Sequence, residues 1–509
     1  MNKFRKLLFV ALGLIALAPV ASAEHLVILA TNDTHSQIDP VTKNNMGGIY
    51  RLRAIFDTER KINDNVLCVH AGDAVQGTLF FNIFRGDVEY PLLDSLGYDI
   101  IILGNHEFDN GMEELAAHYK NVKATKLSTN YNLDATPLKD MFLPYTIKRF
   151  GDRRIGFFGI NVNPVGLISA KNCEGLEYLP CEDVADATAR YLKEVQKCDM
   201  AIMVSHIGAV PESHAGDEPT DVTIAKSSHY IDMIIGGHSH TDILPGSEMN
   251  RVPNADGKIV IIGQNYKTGT YVGRYDIDLD NLSIEYARIP VDATWDSRAD
   301  YPAMKAWLAP FRVDIDSLMT RCPIATSARY MQNNSVAASN WISDAVKDIV
   351  TDISGIKVDA AMMNVGGIRT DMPQGEVNEG VIASMFPFYN RFVVLEMNGA
   401  DLIEGLQAMV NRNDFSCVSK ELSATYDPKT MKIVDARFNG KKIDPKKMYK
   451  IATIDYLQTG GDGMTSFERA KCLYEDPRAY GDHVVKFVKN LGKQGKVIDA
   501  SDQPRLRKK

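Results

Sequence analysis

Cysteine is sparse and unpatterned in this 509-residue sequence: the seven cysteines, at 68, 173, 181, 198, 322, 417 and 472, form no CxxC pair. That spacing excludes a zinc ribbon and a disulfide-dense scaffold. Cys173 and Cys181 bracket a short loop and either pair or stay free, whereas Cys68 sits in the apolar run 66–69 and reads as a buried thiol. Internal repeats and low-complexity tracts are absent, which excludes a solenoid and long disordered stretches. Past residue 23, no apolar run is long enough to cross a bilayer. Basic side chains are in deficit, 57 against 65 acidic. Broad electrostatic binding of nucleic acid is therefore excluded, and an anionic ligand would need metal ions or a few well-placed arginines.

The first 23 residues stand apart. Lys3, Arg5 and Lys6 are followed by an apolar run over 7–18 and by Ala21-Ser22-Ala23. A basic start, a short apolar stretch and a small-residue cleavage site make a secretory signal peptide, residues 1–23. No cysteine follows the run, so a lipid anchor is not expected. The expectation is an exported protein, periplasmic, with no stable membrane anchor.

The rest of the chain repeats one local theme. Apolar β-like runs at 25–30, 66–70, 100–103, 200–204 and 233–235 each end in a cluster of Asp, Asn or His. These clusters are Asn32-Asp33-Thr34-His35, Gly72-Asp73, Gly104-Asn105-His106-Glu107, Ser205-His206 and Gly237-His238-Ser239-His240. In α/β folds, ligands gather at the carboxyl ends of strands, so five such ends would make one polar site on a rigid sheet. Residues 292–327 read as a helical junction with stretches at 303–308 and 313–318 separated by Pro310. A second α/β region follows, with a helix over about 335–350 and strands at 359–363, 392–397 and 449–453.

Carboxylate and imidazole groups without thiolate suit borderline divalent ions such as Zn²⁺ or Mn²⁺. Two such ions roughly 3.5–4 Å apart clamp a phosphoryl group and activate water for in-line attack. Each cluster alone has an ordinary explanation: Asp-x-His caps a loop, Gly-Asn-His-Glu makes a tight turn, and a single His is commonly half-buried. Five of them in this order, each after an apolar strand, point to a two-metal site.

These five blocks resemble those of the calcineurin-like metallophosphoesterases. The resemblance implies an α/β fold, a four-layer αββα sandwich, over residues 24–291. It implies one ion held by Asp33, His35, Asp73 and His240 and a second held by Asp73, Asn105, His206 and His238, with Asp73 bridging. It gives His106 no metal but a place beside the attacked phosphate, paired with Asp109. A carboxylate partner favours the protonated imidazole, which can stabilise developing charge or protonate a leaving oxygen. Asp109 equally caps the turn that follows it.

The second region, 328–509, carries three features. Asn364-Val365-Gly366-Gly367-Ile368-Arg369 offers backbone N–H groups, including that of Gly367, and a guanidinium, suited to phosphate or carboxylate. Phe386-Pro387-Phe388-Tyr389-Asn390 and the stretch from Asp455 through Tyr456 to Asp462-Gly463 offer aromatic faces beside glycine-rich turns. Two such faces can sandwich a nucleobase, although aromatics beside strands are commonly core. These blocks look like the C-terminal domain of exported 5′-nucleotidases. By that resemblance Phe388 and Tyr456 stack on the base, Arg369 contacts the substrate phosphate, and Asn364 and Asp462 hydrogen-bond the nucleoside. The catalytic site then forms between domains, domain rotation gates turnover, and the partner is a small nucleotide.

The sequence departs from that family at three places. Tyr456 stands where members carry Phe. Asn334 falls where a phosphate-binding arginine is expected, with Arg329 nearby, and Ser339-Asn340-Trp341 replaces Gly-Asn-Leu at the helix start. These departures keep open UDP-sugars or 2′,3′-cyclic nucleotides as substrates, beside a non-catalytic surface binding protein.

Overall fold

The computed structural model describes residues 25–211, 218–412 and 417–509. The leader sequence read at 1–23 lies outside the described residues.

The first strand, His25–Thr31, is buried along its whole length after His25. It is apolar on both faces, as a strand covered on both sides must be. Leu26, Ile28 and Ala30 belong to the core between two sheets, while Val27 and Leu29 belong to the core under the outer helices. The first sheet runs, edge to edge, Ile284–Pro290, Tyr271–Asp278, His25–Thr31, Val66–His70, Ile100–Ile102 and Thr125–Leu127. The second runs Arg251–Pro253, Ile259–Gly263, Met233–Ile235, Met200–His206, Arg153–Asn161 and Tyr145–Phe150. Helices Ile49–Ile62 and Cys181–Glu194 pack against the outer cores, which completes the four layers.

Register decides where the polar clusters fall. Thr31 lies opposite His70 and His70 opposite Ile101, in parallel pairs. In the other sheet Val204 lies opposite Ile235, also in parallel. The loops after these strands therefore leave at one end of the sandwich. Backbone bonds tie two of them together: Asp33 N–H donates to Gly72 O at 3.0 Å, and His35 N–H to Asp73 O at 3.1 Å.

After a short 3₁₀ helix at Ala293–Arg298, the junction forms one α-helix, Pro302–Met319, continuous through Pro310, rather than two stretches broken there. Leu308 is fully buried, and Met304, Phe311 and Ile315 pack against the first domain's outer core. That apolar seam outweighs the hydrogen bond Pro310 cannot make. Ala325–Ser327 then pairs with Gly375–Val377.

The second domain is built on the sheet Ala360–Ala361, Met448–Ile454, Arg391–Asn398, Lys471–Ala479. Helix Val336–Ser354 covers it, started by the Ser335 side chain accepting from Ala338 N–H and stopped at Gly355 with φ 67°. The strand expected over 359–363 keeps ladder pairing only at Ala360 and Ala361, because Met362 bridges to Val418 as the chain turns toward Asn364. All seven cysteines are free, so Cys173 and Cys181 do not pair.

Candidate active site

The strand ends bring the polar clusters into one buried nest. Asp33, His35 and His240 have ligand atoms within 4.8 Å of one another, as do Asp33, Asp73 and His206, and His35, Asp73 and His106. His35 Nε2 is 2.9 Å from His240 Nε2, and His240 Nε2 is 3.5 Å from Asp33 Oδ1. His238 Nδ1 is 2.9 Å from Asn105 Oδ1, and the His238 and His206 ring centroids are 5.1 Å apart. The seven residues proposed as metal ligands thus converge from both sheets, and His106 joins them.

The loops are strained to do this. Asp33, His35, Asp73, His238 and His240 all have φ between 48° and 82°, a region that costs a non-glycine residue about 1–3 kcal/mol. Glycine makes room around them: a Cβ at Gly104 would fall 2.2 Å from Asp73 Oδ1, and one at Gly72 would fall 2.6 Å from His206 Nδ1.

The donor set fits cations. His206 is fully buried, and its Nδ1 donates to the Ala71 carbonyl at 2.7 Å. That bond turns Nε2 toward Asp73 Oδ2, 3.2 Å away; burial alone would lower the imidazole's pKa, but the Asp73 and Asp33 carboxylates outweigh it and push it up to about 10. The carboxylates thus draw positive charge to the imidazole, a charge that a proton or a bound cation can supply. Carboxylate, amide and imidazole donors without thiolate are the set that Zn²⁺ or Mn²⁺ accepts.

His106 has different neighbours. Its Nδ1 lies 2.9 Å from Asp109 Oδ2. Burial alone would lower its pKa, but the Asp109 and Asp73 carboxylates outweigh burial and hold it above its ordinary value. With Nδ1 engaged, Nε2 is the nitrogen left to meet a ligand. The Asp109 carbonyl accepts from Asn172 Nδ2 at 2.9 Å, so the dyad is anchored from both sides.

A cleft of about 650 Å³ runs from this nest into the second domain, lined by Asp73, His106 and His240 on one side and by Asn364, Phe388 and Tyr456 on the other. The Phe388 ring centroid is 6.2 Å from that of His106. The Arg369 guanidinium lies 5.6 Å from the Phe388 ring centroid; burial lowers its pKa, opposed by the Asp109 and Asp73 charges it faces. Gly367 lines the same wall and accepts from Tyr480 O–H at 3.3 Å. Asn364 Nδ2 donates to Asp462 Oδ2 at 2.7 Å, while Asn364 Oδ1 is buried without a partner. The cleft thus has charge at one end and aromatic faces at the other. A larger, shallower depression of about 770 Å³ on the first domain includes Asp186, Arg190, Lys193 and His229. Arg190, Lys193 and His229 are ion-paired to acids beside them, so it offers no comparable chemistry.

Several contributors escaped sequence reasoning. Glu107, within a motif block but without a role there, accepts from Gly104, Ala74 and Asp73 N–H at 2.6, 2.8 and 3.1 Å. Burial and the Asp73 charge push its carboxyl up to about 7. It pins the second and third loops together. Gln76 (φ 71°) and the first-domain segment 167–169 also line the cleft; no motif marks them. Arg412 lines it and pairs with Asp462 at 3.2 Å. Arg329 instead pairs with Asp499 and Asp502 at 2.8 and 2.7 Å, and Asn334 is exposed; neither lines the cleft.

Comparison with known proteins agrees with this architecture. Residues 26–242 match the calcineurin-like phosphoesterase family model, and residues 319–469 match the 5′-nucleotidase C-terminal domain model. Human 5′-nucleotidase is 27% identical, over 98% of this chain and 93% of its own. Protein UshA of Escherichia coli is 24% identical over 86% of each. The crystal structure of a 5′-nucleotidase precursor from Thermus thermophilus superposes with a TM-score of 0.81 at 24% identity, over 95% of this chain and 99% of its own. With both halves matched in order, the chain belongs to the 5′-nucleotidase family, a calcineurin-like phosphoesterase domain followed by a 5′-nucleotidase C-terminal domain, and is a hydrolase of phosphate esters.

Proposed function

We propose that this protein is an exported phosphohydrolase that cleaves 5′-nucleotides to nucleoside and phosphate. The observation that carries the reading is the reach of Phe388 and Arg369, from the second domain, to His106 and the carboxylates of the first. A phosphate held at the nest would have a guanidinium and an aromatic face beside it, the two kinds of group that a nucleotide's phosphate and base can use. Full-length similarity to human 5′-nucleotidase supports the same substrate class.

In this reading residues 1–23 direct export, 24–291 form the phosphoesterase domain, 292–327 the junction and 328–509 the nucleotide-binding domain. Asp33, His35, Asp73 and His240 hold one divalent cation; Asp73, Asn105, His206 and His238 hold the other. When bound, such a pair supplies Lewis acidity and a water of lowered pKa. Arg369 and the Gly367 backbone bind phosphate oxygens. His106, kept cationic by Asp109, donates from Nε2 to the phosphoryl or leaving oxygen and stabilises charge as the ester bond breaks. Phe388 and Tyr456 stack on the base, and Asn364 and Asp462 hydrogen-bond the nucleoside.

One observation favours a second substrate class. With Arg329 tied to Asp499 and Asp502 and Asn334 exposed, Arg369 is the guanidinium facing the nest from the second domain. Reduced grip on a terminal phosphate dianion would favour UDP-sugars or 2′,3′-cyclic nucleotides. Initial rates on AMP, a UDP-sugar and 2′,3′-cyclic AMP separate the two. Highest kcat/KM on AMP supports the nucleotidase; a UDP-sugar or cyclic nucleotide tenfold faster replaces it.

A further inference from the structure

The Tyr456 hydroxyl has one proton and two acceptors. It lies 3.0 Å from Asp462 Oδ1, in its own domain, and 3.2 Å from the carbonyl of Gly166, in the first domain. The same Gly166 carbonyl accepts from Asp462 N–H at 2.9 Å. Gly166 has φ 79°, a conformation that favours glycine, and with it the loop presents its carbonyl across the cleft. A phenylalanine, the residue expected here from the family, would keep the aromatic face and lose both contacts.

Asp462 is nearly saturated. Its Oδ2 accepts from Asn364 Nδ2 at 2.7 Å, and its Oδ1 accepts from Tyr456 at 3.0 Å and from Arg412 Nη2 at 3.2 Å. A carboxylate offers about four lone-pair sites, so an arriving hydroxyl finds one open or must displace a donor. The guanidinium is held by charge and the Asn364 amide by the shortest bond. The neutral phenol is the donor most easily displaced, and it has the Gly166 carbonyl to turn to.

We propose that the Tyr456 hydroxyl is a specificity-determining group that couples recognition of a sugar hydroxyl at Asp462 to contact between the domains. A nucleoside hydroxyl donates to Asp462; the Tyr456 O–H rotates, without proton transfer, and donates to Gly166 O. A bond within the second domain becomes a bond between domains, and the sugar hydroxyl's bond is added. The sugar hydroxyls are the donors every ribonucleoside carries, so this selects nucleosides by sugar and leaves the base to stacking. The inference rests on the reading that Asp462 faces the nucleoside.

The test is calorimetric binding of adenosine and 2′,3′-dideoxyadenosine to the full-length Mn²⁺-loaded protein and to its Tyr456→Phe variant. The wild type is expected to prefer adenosine by about tenfold, the size of one hydrogen bond to a charged acceptor. Tyr456→Phe keeps the stacking face and removes the donor that the sugar hydroxyl must displace, and is expected to widen the preference to about thirtyfold or more. Asp462→Asn, which leaves the phenol in place and removes the charged acceptor, is expected to shrink the preference to about threefold or less. An unchanged preference in Tyr456→Phe overturns the inference while leaving the nucleotidase reading intact. A wild-type protein that binds neither nucleoside overturns that reading and this inference with it.

Discussion

His206 turns Nε2 toward the Asp73 carboxylate across 3.2 Å, with its other nitrogen committed to the Ala71 carbonyl. Positive charge belongs between these two buried groups, and a divalent cation can take the place of the imidazole proton there. Asp73→Asn keeps shape and removes charge. The expected outcome is loss of bound metal after dialysis, read by elemental analysis, together with a fall in kcat/KM of at least about a hundredfold. Retained metal would remove Asp73 from the ligand set.

His106 is predicted to act on the substrate rather than hold metal, although it lies within ligand distance of His35 and Asp73. His106→Ala should lower kcat by about 10²–10⁴-fold with metal content unchanged. Asp109→Asn, which leaves the imidazole but weakens its charged state, should cost roughly tenfold. Metal lost with the His106 side chain would make it a ligand instead.

Arg369 and Phe388 divide the substrate between them. Arg369→Ala should weaken inhibition by inorganic phosphate by about 30-fold, the value of a charge-assisted contact. Phe388→Ala should leave phosphate inhibition near wild type and weaken adenosine binding by about tenfold, within the range for one stacked base. Equal effects of both variants on both ligands would contradict this division.

Asp476 is predicted to contribute to the acid sensitivity of the second domain. It is buried between Arg478, Tyr474 and His483, which contact it at 3.1, 2.6 and 3.0 Å. Burial would raise its pKa, but these partners outweigh it and hold the carboxyl well below the ordinary range. A depressed folded-state pKa gives stability that is present above the unfolded value, near pH 4, and is lost as pH falls below it. Asp476→Asn should therefore destabilise by about 2 kcal/mol at pH 7, with a gap from wild type that narrows below about pH 4. Thermal melts across that range check it; a gap independent of pH would contradict it.

The site was more legible in the sequence than the cleft around it. Parallel strands announce their ends, so Asp33, Asp73, Asn105, His206 and His238 could be read from apolar runs followed by polar clusters. The edge pair Tyr145–Phe150 and Arg153–Asn161 gave no such cluster and went unread, though it completes the second sheet. Pro310 misled because local propensity loses to the buried seam at Leu308, Phe311 and Ile315. Gly166 and Arg412, 296 and 50 positions away from Asp462 in the chain, meet it only through tertiary packing, which no local spacing encodes.

Together, this nest and this cleft are proposed to hydrolyse a nucleotide. Phosphate release from AMP by the purified mature protein, with and without added Mn²⁺ or Zn²⁺ and beside the His106→Ala variant, tests it most directly. Metal-dependent release that the variant lacks is the expected result. Metal-dependent turnover of an aryl phosphate with no release from AMP would keep the chemistry of the first domain and contradict the nucleotide assignment of the second.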